Sequence, residues 1–293
     1  MEIHFYHAVI HIGGSLFIQQ NTWKKPVRQH TNIINSSKKF YTIGCNFGPY
    51  FSDEYFTSYY SLFEKMDDLC FRDYDSYLLF ENIEQARVAP DIVFTMKKIP
   101  KSPINTNRYV VISTIDVKRK VEESELSSNY ENKILEITLK FLNEGYHVYL
   151  MGFCEYEGDF QANEILSTKM KEVLKKQNAE KLINNLHVYN YTGDVSTALS
   201  LIEHSVGVVA TRFHSMILAL LYDKNVFPII YSGKMKTVLQ DLKYDGKFSS
   251  ISDIQNVDAD AVFKQLIKTP SFDISSYKKE SDKQFYILDQ VLT

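Results

Sequence analysis

The stretch Val206-Gly207-Val208-Val209-Ala210-Thr211-Arg212-Phe213-His214-Ser215, continuing as an apolar segment to Tyr222, decides the fold. Residues 206–210 are apolar without alternation, the pattern of a strand buried on both faces. Residues 213–222 read as a helix. A buried strand passing through two polar residues into a helix is half of a βαβ unit. The same pattern follows at once, as a strand over 226–231 and a helix over 233–242. It also precedes, with strands predicted at 109–115, 146–153 and 186–191. Between them lie an amphipathic helix over 131–143 that stops at Gly145, a lysine-rich helix over 164–176, and a helix capped by Asp194 that runs through Glu203. Alternation at these lengths predicts a parallel sheet in a Rossmann-like domain.

Upstream, apolar strands end in glycine-containing turns: 8–12 before Gly13-Gly14-Ser15, and 40–43 before Gly44 and Gly48-Pro49. Ser52 or Asp53 can cap a helix carrying Phe56, Tyr59, Tyr60 and Phe63, a short strand over 69–71 leads into Arg72-Asp73, and a second helix is predicted over 76–83. From 89 to 107 the pattern weakens into Pro90, Lys97, Lys98, Pro100, Lys101, Ser102 and Pro103, which suits an interdomain linker. The expected organisation is therefore a first Rossmann-like domain over 1–103 and a second over 104–293, the latter ending in one helix over 274–292 whose periodicity permits packing back across the domain boundary.

Length agrees, because 293 residues exceed the usual size of one hydrophobic core. Hydrophobic residues at 44% and charged residues at 24% exclude a disordered chain and a membrane-embedded one. A formal net charge of -3 gives no argument for nucleic acid as a partner. Cys45, Cys70 and Cys154 lack CxxC spacing, which argues against a disulfide framework or a structural zinc and fits a reducing cytoplasm. The histidines do not fall at ligand spacings such as HExxH, so no metal site is expected. His4, His7 and His11 interrupt the first apolar stretch, so no signal peptide is expected there either. The aromatic residues, 14% of the chain, are read as core packing.

In open parallel sheets, ligands bind just beyond the carboxyl ends of the strands. The junction after 206–210 places Arg212 and His214 beside backbone N–H groups at the positive end of a helix dipole, where an anion is expected. An ion pair for Arg212 and a helix-terminus role for His214 are the alternatives. Arg72 closes a strand in the same manner, with a salt bridge to Asp73 or Asp75 as its alternative, and Lys234 stands near the start of the next helix. Gly13 and Gly14 are expected to supply turn conformations, with a place in the substrate cleft, together with Ser15, as the further expectation.

The segment 193–242, with Asp194-Val195 opening it, 208–215 at its centre and Tyr231 and Lys234 closing it, resembles the polysaccharide pyruvyl transferase family. Residues 12–17, 43–49, Phe71-Arg72-Asp73 with Ser76, and Ala89-Pro90-Asp91 resemble that family's N-terminal elements in the same order. The resemblance implies two Rossmann-like domains in a glycosyltransferase-B-like arrangement, and a first domain abbreviated by a strand–helix segment with a Gly-Asp loop. It implies transfer of a pyruvyl group from phosphoenolpyruvate, with no other cofactor, to a sugar of a surface or capsular polysaccharide precursor, as the free sugar or a lipid-linked oligosaccharide. Arg212 would bind the donor and His214 would be the acid–base residue, with Arg72, Ser215 and Lys234 as further donor contacts. Peripheral proximity to a membrane and a homo-oligomeric state stay open. Two alternatives stay open as well: a nucleotide-sugar glycosyltransferase, for which Glu155-Tyr156-Glu157-Gly158-Asp159 is the candidate donor loop, and a shortened, inactive relative acting as a binding subunit.

Overall fold

The computed structural model describes residues 7–97, 107–119, 124–268 and 272–292. The chain divides into two compact units, Met1–Lys97 with Ser275–Thr293, and Lys98–Ile274. The boundary predicted at 103/104 and most of the lysine–proline stretch lie outside the described residues.

In the first unit, β1 (Val9–Ile12), α1 (Lys24–Ser36), β2 (Phe40–Cys45), α2 (Asp53–Phe63), β3 (Asp68–Phe71), α3 (Tyr74–Leu79) and β4 (Ala86–Val88) build a parallel sheet of order β1-β2-β3-β4. Ser52 caps α2 by accepting from the Tyr55 N–H, and Asp73 caps α3 by accepting from the Ser76 N–H. Sequence patterning missed α1, whose mean hydropathy is low, and β4, which has three residues. The helix predicted over 76–83 begins two residues earlier because Asp73 is its cap. The aromatic residues do pack as core: the Phe17 and Phe63 ring centroids are 4.9 Å apart, and those of Phe47 and Phe80 are 4.8 Å apart.

Two histidines sit in this aromatic core. The His11 and His30 rings meet edge to face at 5.1 Å, and His30 Nδ1 lies 3.3 Å from the Tyr59 hydroxyl. Burial first, and His11 second, push His30 down to about 4. The folded ring is therefore neutral where the unfolded one, at 6.5, gains a proton. This contribution is complete above pH 6.5 and is lost as the pH falls toward 4, by about 2 kcal/mol after discounting for the solvent-exposed part of the ring. Denaturant unfolding at pH 7.5 and 4.5 is expected to show the loss, and His30→Phe to reduce it.

In the second unit, β5 (Tyr109–Ser113), α4 (Ser124–Asn143), β6 (His147–Gly152), α5 (Asp159–Lys176), β7 (Leu186–Asn190), α6 (Val195–Glu203), β8 (Gly207–Ala210), α7 (Phe213–Leu221), β9 (Asn225–Ile230), α8 (Gly233–Asp241), β10 (Ser249–Ser250) and α9 (Ala259–Ile267) form a parallel sheet of order β10-β9-β8-β5-β6-β7. Val110, Ile112, Val148 and Val209 from the strands and Ile134, Ile137, Phe141 and Met170 from the helices are fully buried in one core. Strands β5 to β7 run to one side and β8 to β10 to the other. The strand order therefore reverses between β5 and β8, and the carboxyl ends of those two strands flank the switch point where such sheets bind ligands.

The tail forms two helices instead of the one expected, α10 (Ser275–Ser281) and α11 (Tyr286–Leu292), joined by a 3-10 turn over Asp282–Phe285, and it belongs to the first unit, the packing across the boundary that its periodicity permits. Gln284 gives the reason. Fully buried, its amide donates to the carbonyls of Ala89 (2.7 Å) and Pro90 (3.0 Å) and accepts from the Gly44 N–H at 2.8 Å. Arg87, gripped by Asp68 at 2.6 and 2.7 Å, donates to the Gln284 carbonyl. A backbone edge is thus satisfied by a residue some 200 positions away, a contact that sequence periodicity does not encode.

Candidate active site

In the first unit, the loops after all four strands meet at one guanidinium. Arg72 follows β3 and is 4% exposed; Nη1 pairs with Asp91 Oδ2 at 2.8 Å, beyond β4, and Nη2 donates to Asn46 Oδ1 at 2.7 Å, beyond β2. Ser15, beyond β1, places its hydroxyl 3.5 Å from Nη2 and donates to Asn46 Oδ1 at 3.3 Å. The four short elements singled out separately along the sequence are therefore one structure. Gly14 leaves room for this approach, since a Cβ there would run into the Arg72 guanidinium. Gly13 and Gly14, expected to supply turn conformations, lead into a bend at 14–15, and neither has a positive φ.

In the second unit, Arg212 follows β8 and is 7% exposed. Its Nε donates to Asp159 Oδ2 at 2.9 Å, Nη2 donates to Asp159 Oδ1, and Nη1 donates to Glu157. Burial opposes the charge on Arg212, but its hydrogen bonds to Asp159 and Glu157 outweigh it and leave the group more firmly protonated than usual. Asp159 is fully buried and also accepts the N–H groups of Phe153 (3.0 Å) and Cys154 (2.9 Å), whereas the Glu157 side chain is 41% exposed. Gly158 stands between them at φ +86°, a conformation that favours glycine, and a Cβ there would meet Asp116 at 2.8 Å. This left-handed residue lets the chain turn from Glu157 into Asp159 and present both to Arg212.

A serine pair fixes the Arg212 backbone. Ser113, at the end of β5, accepts from the N–H groups of Thr211 (3.0 Å) and Arg212 (3.2 Å). Ser215 Oγ lies 2.6 Å from Ser113 Oγ and donates to the Arg212 carbonyl at 2.7 Å. With the Ser215 proton committed to that carbonyl, Ser113 is the donor between the hydroxyls, and every polar atom of the pair is used. One expectation is corrected by this network: Ser215, expected to touch the donor, is fully buried and acts on the backbone.

His214 stands in the first turn of α7 and is exposed, with its ring centroid 5.4 Å from that of Phe213. Lys234 Nζ lies 5.5 Å from the Phe213 ring centroid. Lys234 and His214 are thus brought to the same aromatic residue, while the Arg212 side chain turns to the α5 loop. Arg72 belongs to the other unit. Asp91 and Asn46 are not among the expected site residues, although both lie in the 89–91 and 43–49 elements. The 155–159 loop is expected only as a nucleotide-sugar element. Its position after β6, at a carboxyl end, was the available signal. Among the described residues no group of three or more His, Cys, Asp or Glu side chains is placed to hold a metal ion, and no helix is long and apolar enough to cross a membrane.

A family model described as polysaccharide pyruvyl transferase matches residues 3–233. No curated protein matches the chain in sequence. Among solved structures, the chain is similar to TarM, with 14% identity and a TM-score of 0.51 over 97% of this chain and 54% of that one. It is also similar to a UDP-GlcNAc 2-epimerase of Methanocaldococcus jannaschii, with 11% identity and a TM-score of 0.54 over 97% and 76%. A UDP-forming alpha,alpha-trehalose-phosphate synthase of Burkholderia xenovorans gives 12% identity and a TM-score of 0.51 over 88% and 67%. The chain thus spans about half the length of TarM. These likenesses establish the fold: two parallel-sheet, Rossmann-like α/β domains of the glycosyltransferase-B-like class.

Proposed function

The chain belongs to the polysaccharide pyruvyl transferase family, and on that premise we propose that it transfers a pyruvyl group from phosphoenolpyruvate to a sugar of a surface-polysaccharide precursor, forming a ketal. One arrangement supports this reading. At the switch point of the second sheet, a guanidinium that is 7% exposed stands at the carboxyl end of β8, and the next turn carries an exposed histidine. Phosphoenolpyruvate bears a carboxylate and a phosphate, and the planar fork of arginine suits both. Its anionic group meets Arg212 on the side from which Glu157 approaches.

His214, as imidazolium, gives a proton to C3 of the donor, which becomes a methyl group and leaves positive character at C2. A sugar hydroxyl attacks C2 and loses its proton. The C2–O bond to phosphate then breaks, and a second hydroxyl of the sugar closes the ketal. Of the two hydroxyl protons, one replaces that given to C3 and the other leaves with phosphate, so the products are the ketal and hydrogen phosphate. Lys234, whose Nζ lies 5.5 Å from the Phe213 ring centroid, is the cation assigned to the departing phosphate.

Incubation of the intact protein with phosphoenolpyruvate and a panel of glycoside acceptors is the test. Release of inorganic phosphate that depends on the acceptor is the expected result. Tight binding of a nucleotide sugar with no binding of phosphoenolpyruvate would overturn the reading.

A further inference from the structure

We propose that Glu157 is an exchangeable counter-ion of the donor site, which the anionic donor displaces from Arg212, and that this exchange selects donors with more than one anionic group. The inference rests on the donor reading of Arg212 given above. One guanidinium, itself 7% exposed, donates to two carboxylates, so the N–H groups it turns to the α5 loop are already taken. A further anion cannot join them without a loss of charge, because like charges at close range in a low dielectric repel strongly. One carboxylate must leave.

The two are not equivalent. Asp159 is fully buried and holds two backbone N–H groups as well as Arg212, so its departure would strand all of them. Glu157 is 41% exposed at its side chain, ends a one-turn 3-10 helix, and is followed by the left-handed Gly158. It can withdraw into solvent with its charge hydrated. Asp159 is then the permanent partner that keeps the guanidinium oriented, and Glu157 the occupant that a ligand replaces.

The exchange has a consequence for specificity. A monocarboxylate such as pyruvate trades one carboxylate for another and gains little, whereas phosphoenolpyruvate replaces Glu157 with one anionic group and keeps a second for a further cation. Apparent affinity for any anion is lowered by the fraction of molecules in which Glu157 holds Arg212.

Calorimetric titration of the intact wild type, Glu157→Gln and Glu157→Ala with inorganic phosphate, phosphoenolpyruvate and pyruvate tests the exchange. Both variants are expected to bind phosphate and phosphoenolpyruvate about tenfold more tightly than wild type, with a narrower preference over pyruvate. Phosphate affinity that is unchanged, weakened or undetectable in both variants, at wild-type melting temperature, overturns the proposal. If one variant loses its fold, the other decides. Phosphate that binds more tightly to the variants while phosphoenolpyruvate binds to no form upholds the exchange and removes the donor assignment.

Discussion

Replacing Arg212 with methionine is expected to lower the stability of the second unit by about 3–5 kcal/mol, far more than an ordinary substitution. The cause is the residue left behind. Asp159 is fully buried and receives two of the Arg212 N–H groups, and methionine fills the volume without supplying a charge or a donor. A buried carboxylate without its partner must either remain charged in a poor environment or take up a proton. Thermal melting followed by circular dichroism is expected to show a fall of roughly 6–20 °C for a unit of this size. A loss below about 0.5 kcal/mol would mean that the ion pair does not hold the α5 loop to β8.

His214→Ala should divide differently between fold and function. The residue is exposed in the first turn of α7, where substitutions are usually tolerated within about 0.5 kcal/mol, so melting should stay near wild type. Turnover of phosphoenolpyruvate should fall by about 10²–10⁴-fold, the usual worth of a general acid. Donor binding should change much less, because the contacts assigned to the donor's charge lie on Arg212. Steady-state kinetics beside direct titration separates the two quantities. Retained turnover would transfer the proton donation to another group.

Both predictions concern the second unit, which was the more readable of the two in advance. The second unit announced itself because buried parallel strands are continuously apolar and their helices are long, so 206–222 was interpretable from local pattern alone. The first unit was harder: α1 is polar over most of its surface, and β4 has three residues. What no local pattern carries is pairing through space. Arg72 finds Asp91 at a separation of 19, and Arg212 finds Glu157 and Asp159 at 55 and 53. In both cases the partner lies in a loop after another strand of the same sheet, so the parallel topology gathers residues that the chain keeps apart. Ser215 shows the reverse error. Its place in a family-like element suggested ligand contact, but the fold uses its hydroxyl to hold the backbone of the residue before His214's own neighbour, Phe213.

The placement of the donor on Arg212 is tested most directly by a structure of the intact protein with phosphoenolpyruvate bound. One anionic group of the donor is expected within hydrogen-bond distance of the Arg212 guanidinium, in the position of Glu157, with C3 facing the His214 ring. Phosphoenolpyruvate seated elsewhere, with Glu157 still on Arg212, would contradict it.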